Sequence, residues 1–252
     1  MRVIVLSSGS KGNTTYIESK EAKILIDAGN TAKYINECLS ELGVTPNDID
    51  AILITHTHVD HIGGLKSFIK KSNACVYIMP GMVNELNYLK NYKIIDSDEF
   101  NIKDLSIKRI NTSHDAIDSG GYIITSDNKS LVYITDTGYI NKKYFEILSN
   151  RDLYIMESNH DIEMLNNSSY PFRIRQRILS DKGHLSNYDS AKYLSSFVGK
   201  KTKYIILAHL SQENNTEELA YNTLIDRLEK ENISFKNIYI SKQNEKTNLI
   251  EI

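Results

Sequence analysis

The sequence of 252 residues has few cysteines and prolines, with two and three respectively, and it has no tryptophan. Cys38 and Cys75 lie far apart and form no CxxC pair, so we expect buried thiols, no disulfide framework and no cysteine-rich metal site. This usage fits a reducing compartment. Because no proline-rich linker, low-complexity tract or solenoid-type repeat interrupts the chain, we predict a single domain over residues 1–252.

Long apolar runs are also absent. The first apolar stretch has only four residues, too few for a signal peptide, and no run approaches the roughly 18 residues that a membrane span needs. We therefore expect a cytoplasmic protein with no membrane partner. The formal net charge of −2 neither favours nor excludes nucleic acid, since a binder with this balance would gather its lysines and arginines locally.

Short, mostly β-branched apolar runs alternate with segments of helical periodicity. Strands are predicted at 2–8, 14–19, 23–29, 50–55, 74–80, 105–114, 120–127, 130–136, 152–158 and 203–209, with a last strand at 236–242. Helices are predicted at 31–43, 63–71, 81–91, 142–150, 172–181, 187–198 and 216–232. This interleaving predicts a layered α/β fold.

The segment "THTHVDHIGG", residues 55–64, follows the apolar run "AILI" and is dense in titratable groups. His56 and His58 are two residues apart on an extended chain, so both imidazoles point to one side and can reach one metal ion. Asp60 and His61 follow where the chain turns and can face a second position. The glycine pair that ends the segment permits a tight entry into a helix. Imidazoles and carboxylates suit Zn²⁺, Mn²⁺ or Fe²⁺.

Other predicted strands also end in a potential ligand. The runs "LVYI", "LYIM" and "YIIL" lead to Asp136, Glu157 and His209, and a short lead after "LSIKRI" reaches His114. Ligands delivered by rigid strands from distant parts of a chain can converge at one rim of a sheet. A metal site at that rim is therefore expected.

The "HxHxDH" spacing and these ordered strand-end partners resemble the metallo-β-lactamase superfamily over essentially the whole chain. The resemblance implies an αββα sandwich, two mixed sheets flanked by helices, holding two divalent metal ions, either Zn²⁺ or Mn²⁺, with iron as a further option. By the same resemblance, the first ion is bound by His56, His58 and His114, the second by Asp60, His61 and His209, and Asp136 bridges the two.

Two further motifs, "MESNHD" and "KGHLSN", resemble those of the nuclease and phosphodiesterase branches of this superfamily, and several segments resemble the YycJ (WalJ) branch of 5′→3′ exonucleases acting on double-stranded DNA. That branch implies attack on phosphorus by a hydroxide between the two ions. Glu157 would orient His184, which protonates the leaving oxygen. Asp60 is counted with this pair as catalytic. A structural alternative is that His184 only neighbours a helix cap at Ser186 or Asn187.

Possible substrate contacts lie outside the ligand set. The glycine-rich turn "SSGSKGN" could cradle a phosphate through backbone N–H groups and Lys11, although a plain hairpin turn explains its glycines equally well. Alternating arginines in "RIRQR" could grip a nucleic-acid backbone or merely solvate a helix face. Asp115 is a candidate partner for a ligand histidine. The candidate contacts are Ser10, Lys11, Asn13, His160, Arg173, Arg175 and Arg177.

Other functions remain open from the sequence. A thioester or lactone hydrolase of the glyoxalase II type uses the same seven ligands, and a phosphodiesterase for cyclic nucleotides or small phosphodiesters shares much of the layout. A mononuclear iron dioxygenase and a metal-stabilised binding protein without turnover are more distant alternatives. A proton donor such as His184 argues against the binding protein, because pure metal binding would not require one. Enzymes of the glyoxalase II type lack the "GHLSN" feature.

Overall fold

The computed structural model describes all 252 residues, and its centre is a pair of seven-stranded sheets. The first sheet contains β1 (Arg2–Ser7), β2 (Thr14–Glu18), β3 (Lys23–Ile26), β4 (Ala51–Leu53), β5 (Cys75–Ile78), β6 (Tyr92–Ile94) and β14 (Ile250–Glu251). Its strand order is β14-β1-β2-β3-β4-β5-β6. The strands from β3 to β6 are parallel, and the remaining pairs are antiparallel.

The second sheet repeats this mixed design. It contains β7 (Glu99–Ile102), β8 (Leu105–Asn111), β9 (Gly120–Ser126), β10 (Lys129–Ile134), β11 (Leu153–Glu157), β12 (Tyr204–Ala208) and β13 (Ile238–Ile240), in the order β13-β12-β11-β10-β9-β8-β7. The strands from β10 to β13 are parallel. Both sheets therefore have a parallel half whose carboxyl ends lie at one edge, and ligands commonly bind at such edges.

Alternation along the strands explains how the two sheets pack. In β10, Leu131 and Tyr133 belong to a core of 22 buried residues between the sheets, whereas Val132 and Ile134 face an outer core under the helices. Both faces of the strand are thus apolar, which is why its sequence is a continuous hydrophobic run. Ile52 of β4 likewise packs outward, between Ala51 and Leu53, which point inward.

Helices cover the outer faces and complete the αββα sandwich, as predicted. They are α1 (Ala32–Glu41), α2 (Val59–Ile62), α3 (Leu65–Phe68), α4 (Phe145–Leu148), α5 (Ile162–Asn166), α6 (Phe172–Ile178), α7 (Asn187–Phe197) and α8 (Glu217–Lys230). Thr31, Ser186 and Thr216 cap α1, α7 and α8 through side-chain oxygens that accept backbone N–H groups. No helix combines the length and apolar character that crossing a bilayer would demand.

Some predicted elements are wrong. Residues 81–91 do not form a helix; a 3₁₀ turn at Pro80–Met82 is followed by turns, in a segment where asparagines recur and favour such conformations. The strand predicted at 236–242 is not the last, because β14 returns to pair with β1. The short edge strands β6 and β7 were also not predicted, since their exposed residues give little periodic signal. Cys75 is only partly buried.

The glycine pair after the histidine segment has a different role from the one predicted. Gly63 and Gly64 both have right-handed helical backbone angles, so neither needs the freedom of glycine to turn. A Cβ on Gly64 would instead lie 1.9 Å from the carbonyl oxygen of Asn30. Close packing of two backbone segments therefore requires this residue.

Candidate metal centre

Three imidazoles from both sheets form a first cluster. His56 and His58 follow β4 of the first sheet, and His114 follows β8 of the second. The Nε2 atom of His114 lies 3.2 Å from Nδ1 of His58, and the ring centroids of His56 and His114 are 5.0 Å apart. One nitrogen from each of the three rings lies within 4.8 Å of the other two. This spacing allows all three side chains to reach a common cation.

A second cluster lies beside the first and contains two carboxylates and two imidazoles. Its members are Asp60, His61, Asp136 and His209, whose ligand atoms also lie within 4.8 Å of one another. Oδ2 of Asp60 is 3.5 Å from Nε2 of both histidines. The structure thus brings together all seven side chains that the family resemblance assigns to metal binding, in the two groups that it implies.

Asp136 stands between the two clusters. Its Oδ2 atom is 3.1 Å from Nε2 of His61 and 3.0 Å from Nδ1 of His209, whereas Oδ1 lies 3.8 Å from Nε2 of His114 in the first cluster. Asp136 lies two residues after the end of β10 and has a left-handed backbone, with φ of 57°. A single carboxylate therefore faces both groups of ligands.

The charges at the site suit cations. Burial lowers the pKa of both His56 and His114, which keeps these imidazoles neutral and able to act as ligands. Burial alone would raise the pKa of Asp136, but His209 and His61 outweigh it and keep the carboxylate ionised. Asp60 is ionised for the same reason, with its pKa lowered by the same two histidines.

Several buried side-chain atoms in the clusters have no hydrogen-bond partner, as expected of atoms that bind a metal ion. Nε2 of His56 and Oδ2 of Asp136 are buried and make no hydrogen bond of acceptable geometry. Buried polar atoms normally find a partner, and here they are aimed into a set of nitrogen and oxygen donors. Together with the two clusters, this donor set indicates the binding of divalent metal ions.

Asp27 is a site residue that the sequence reasoning missed. It follows β3, is fully buried, and lies 2.7 Å from Nδ1 of His61, while its two oxygens accept hydrogen bonds from the backbone N–H and the hydroxyl of Thr55. A carboxylate on the far nitrogen of a ligand imidazole fixes the orientation of the ring. The signal was available, since "ILIDAG" repeats the strand-then-aspartate pattern of "VYITDTG".

The glycine-rich turn packs against the second ligand cluster. It does not offer a set of free backbone N–H groups for binding a phosphate. Its backbone N–H groups at residues 8, 9, 11, 12 and 13 all donate hydrogen bonds within the protein. Asn13 is fully buried, and its amide nitrogen lies 3.2 Å from Oδ2 of Asp60 and 3.0 Å from Nε2 of His61. The substrate contact expected of Asn13 is thus wrong, because the side chain positions ligands out of reach of solvent. Ser10 and Lys11 remain exposed.

His184 and Glu157 form a pair at the edge of the clusters. Nδ1 of His184 lies 2.7 Å from Oε1 of Glu157, and Oε2 accepts the backbone N–H groups of Thr137 and Leu185 at 3.0 and 3.1 Å. Burial opposes ionisation of Glu157, but His184 outweighs it and lowers its pKa to about 2. Ser186 caps α7, as the structural alternative expected, but His184 also contacts Glu157 and lies at the clusters, which a mere neighbour of a cap does not require.

A cavity of about 360 Å³ opens over the clusters, and its lining includes some of the candidate substrate contacts and not others. His184, Ser10 and Arg177 line it, whereas Arg173 and Arg175 do not. Helix geometry explains why Arg175 is excluded, because residues two apart on a helix lie on different faces. Arg173 lies one turn before Arg177 and does not reach the lining. Arg175 is tied to the carbonyl of Asn166 on another side of α6.

His160 and Asp115 also differ in their placement. His160 is 1% exposed, does not line the cavity, and neither ring nitrogen makes a hydrogen bond, so a substrate contact is wrong for this side chain. Burial lowers its pKa to about 4. Asp115 accepts two hydrogen bonds from Arg177, and its Oδ1 lies 3.4 Å from Nε2 of His114. Asp115 thus connects the arginine of the cavity wall with the first cluster.

Comparison with known proteins agrees with this geometry. Residues 8–209 match the family model of the metallo-beta-lactamase superfamily. The chain belongs to this superfamily. It is 41% identical over 233 residues to exodeoxyribonuclease WalJ of Streptococcus pneumoniae serotype 2, covering 89% of this chain and 87% of that protein. It is 37% identical over 232 residues to exodeoxyribonuclease YycJ of Bacillus anthracis, covering 89% and 88%.

Solved structures support the fold of this superfamily member. The metallo-β-lactamase fold protein YhfI from Bacillus subtilis superimposes with a TM-score of 0.74 at 16% identity, covering 98% of this chain and 99% of that one. The short form of human tRNase Z gives a TM-score of 0.66 at 16% identity over the whole of both chains. Family membership, together with the histidine and aspartate clusters, identifies the chain as a metal-dependent hydrolase.

The position of Asp27 behind His61 generates a prediction. Asp27→Asn removes the negative charge that orients this imidazole, so we expect metal affinity to fall about 10- to 100-fold. Competition titration with a chromophoric chelator measures this affinity. Asp152→Asn is the matched control, because Asp152 is equally buried and accepts from the N–H and hydroxyl of Ser130. Equal affinity losses in the two variants would contradict the role of Asp27.

Proposed function

We propose that this chain is a dinuclear metal-dependent nuclease, specifically a 5′→3′ exonuclease acting on double-stranded DNA. The observation that carries the proposal is the His184–Glu157 pair, which lies beside the two ligand clusters and whose histidine lines the same cavity. A DNA substrate is supported by the similarity to the exodeoxyribonucleases WalJ and YycJ, which align over most of both chains. The 5′→3′ polarity and the preference for duplex DNA are what the resemblance to that branch implies.

We assign two divalent ions, Zn²⁺ or Mn²⁺, to the two clusters. His56, His58 and His114 would hold one ion, and Asp60, His61 and His209 the other, with Asp136 facing both. Ions bound there would lower the pKa of water and neutralise charge on phosphoryl oxygens. Asp27, Asn13 and the strand ends hold these ligands in place, so that the site requires little rearrangement when substrate arrives.

His184 is the proposed proton donor. Glu157 occupies Nδ1, so Nε2 is the nitrogen left to donate a proton toward the cavity. The carboxylate of Glu157, whose pKa is lowered to about 2, is ionised and holds the ring in this orientation. A sugar alkoxide is a poor leaving group that needs such a proton, whereas a thiolate, with a parent pKa near 8.5, leaves without one. The pair therefore favours a phosphodiester over the thioester of a glyoxalase II-type enzyme.

Arg177 is the proposed contact for a substrate phosphate. Its Nε and Nη2 atoms donate hydrogen bonds to Asp115. The two N–H groups of Nη1 make no hydrogen bond within the protein and can donate to a ligand. The ion pair with Asp115 raises the pKa of Arg177 and fixes the guanidinium on the wall of the cavity. Guanidinium groups bind phosphate oxygens through charge-assisted hydrogen bonds. Arg173 and Arg175, which the sequence also indicated, do not line the cavity.

A nuclease assay tests the proposed function. Protein stripped of metal and reloaded with Mn²⁺ or Zn²⁺ is incubated with end-labelled duplex DNA, single-stranded DNA, RNA, bis(p-nitrophenyl) phosphate and S-lactoylglutathione. We expect duplex DNA to be shortened from its 5′ ends, with loss of activity after chelation. Hydrolysis of S-lactoylglutathione without cleavage of any phosphodiester would overturn the nuclease, and cleavage of only small phosphodiesters would replace it with the phosphodiesterase alternative.

The proton-donor role of His184 predicts dependence on the leaving group. His184→Ala should lower kcat on an oligonucleotide about 10²- to 10⁴-fold, because general acid catalysis is lost. The rate on bis(p-nitrophenyl) phosphate should change far less, since nitrophenolate departs without a proton. Ser186→Ala is the control, because it removes the cap of α7 and costs about 1 kcal/mol of stability without removing the imidazole. Equal losses on both substrates would exclude His184 as the acid.

The position of Arg177 predicts an effect on binding. Arg177→Gln should raise KM for duplex DNA about tenfold and reduce the slope of log K against log salt by about one, because one phosphate contact is lost. Arg173→Gln, one helical turn earlier on α6 and outside the cavity, should change neither quantity. Metal content is measured in both variants, since Asp115 loses its partner in the first. Indistinguishable behaviour of the two variants would refute the assignment.

A further inference from the structure

A second charged region lies away from the metal centre. Residues 64–93 contain five lysines and a single acidic residue, Glu85, in a chain whose net charge is −2. None of these lysines lies within 4.0 Å of a carboxylate oxygen, although lysines elsewhere in the chain form several ion pairs. The segment therefore presents uncompensated positive charge. The five residues are Lys66, Lys70, Lys71, Lys90 and Lys93.

Three of these lysines surround a cavity of about 400 Å³. Lys66, Lys70 and Lys90 line it together with Tyr88. It lies near the amino ends of β5 and β6, since its lining includes residues 72–74 and 91, which precede those strands. The metal ligands instead follow the carboxyl ends of their strands, and no residue lines both cavities. This cavity is therefore separate from the proposed active site.

The lining combines cations with a flat apolar wall. The Nζ atom of Lys66 is 5.3 Å from the centroid of the Tyr88 ring, and Ile69 and Val76 add aliphatic surface. Burial raises the pKa of Tyr88, so the phenol stays neutral and adds no negative charge. An aromatic ring with neighbouring ammonium groups can stack on a planar base and attract an anion at the same time.

The rim of the cavity is also fixed. The side-chain amide of Asn91 donates to the backbone carbonyls of Asn73 and Ala74, at 3.0 and 3.3 Å. These bonds connect the segment that carries Lys90 to the start of β5. The backbone that carries Lys90 and the backbone of residues 73 and 74 are thus held in a defined relation, which reduces the entropy lost when a ligand is bound.

We propose that this cavity binds one nucleotide, with the base against Tyr88 and the phosphate among Lys66, Lys70 and Lys90. The nucleotide is either free or part of a nucleic-acid strand, because both present the same base and phosphate. The proposal does not depend on the metal clusters, and binding here can be measured whether or not the chain cleaves DNA.

Because the chain has no tryptophan, a single introduced tryptophan gives a fluorescence signal from one known position. In Tyr88→Trp the single indole reports stacking by quenching of its fluorescence, and Tyr92→Trp is the control, on the exposed edge strand outside the cavity. The ligands are adenosine monophosphate and, with a chelator present to prevent cleavage, a single-stranded oligonucleotide. We expect saturable quenching in the Tyr88→Trp variant and none in the Tyr92→Trp control. Quenching by adenosine monophosphate would indicate a site for a free nucleotide, and quenching by the oligonucleotide alone would indicate a site for a nucleic-acid strand.

Charge variants identify the phosphate contacts. Lys70→Gln with Lys90→Gln should weaken binding by tenfold or more, whereas Lys71→Gln with Lys93→Gln removes the same charge outside the cavity and should leave it within twofold. Equilibrium dialysis of radiolabelled ligand repeats the comparison with Tyr88 intact, in case the tryptophan variant does not fold. No saturable binding of either ligand, or equal weakening in the two charge pairs, would overturn the proposal.

Discussion

The carboxylate of Asp136 between the two imidazole clusters is the interaction on which the site depends. It is almost completely buried, and it contacts His61 and His209 through one oxygen while the other faces His114. A buried carboxylate costs several kcal/mol unless opposite charge compensates it. The protein meets this cost with a cluster built to hold positive charge, and the left-handed backbone of Asp136 fixes where the carboxylate points.

Neither sheet contains the site alone. The segment after β4 of the first sheet supplies four of the ligands, and strands β8, β10 and β12 of the second lead to the other three. The common core of 22 residues holds the two sheets together, and the hydroxyl of Tyr122 donates to the carbonyl of Ile54 across the interface at 2.7 Å. Packing of the sandwich therefore determines the distance between the ligand clusters. Asp27 and His209 share the left-handed backbone of Asp136, and each of these three residues follows a strand that leads to the site.

The "HxHxDH" spacing and the strand-end residues carry the family resemblance, and that resemblance implied the fold and the grouping of the ligands. Sequence reasoning missed Asp27, although "ILIDAG" has the same strand-then-aspartate pattern as the segment of Asp136, because this aspartate belongs to no spaced motif. It misplaced Asn13 and His160, because whether a polar side chain faces a cavity or the interior depends on the packing of distant segments. The choice of Arg177 over Arg175 needed the phase of a helix relative to the cavity, which no short motif contains.

The most direct test of the account is anomalous diffraction from crystals of the metal-loaded protein. We expect two peaks about 3.5–4 Å apart, one beside each ligand cluster, with the carboxylate of Asp136 reaching both. A single peak, or a structure in which Asp136 has turned away from the first cluster, would contradict the claim that one buried carboxylate joins two metal sites.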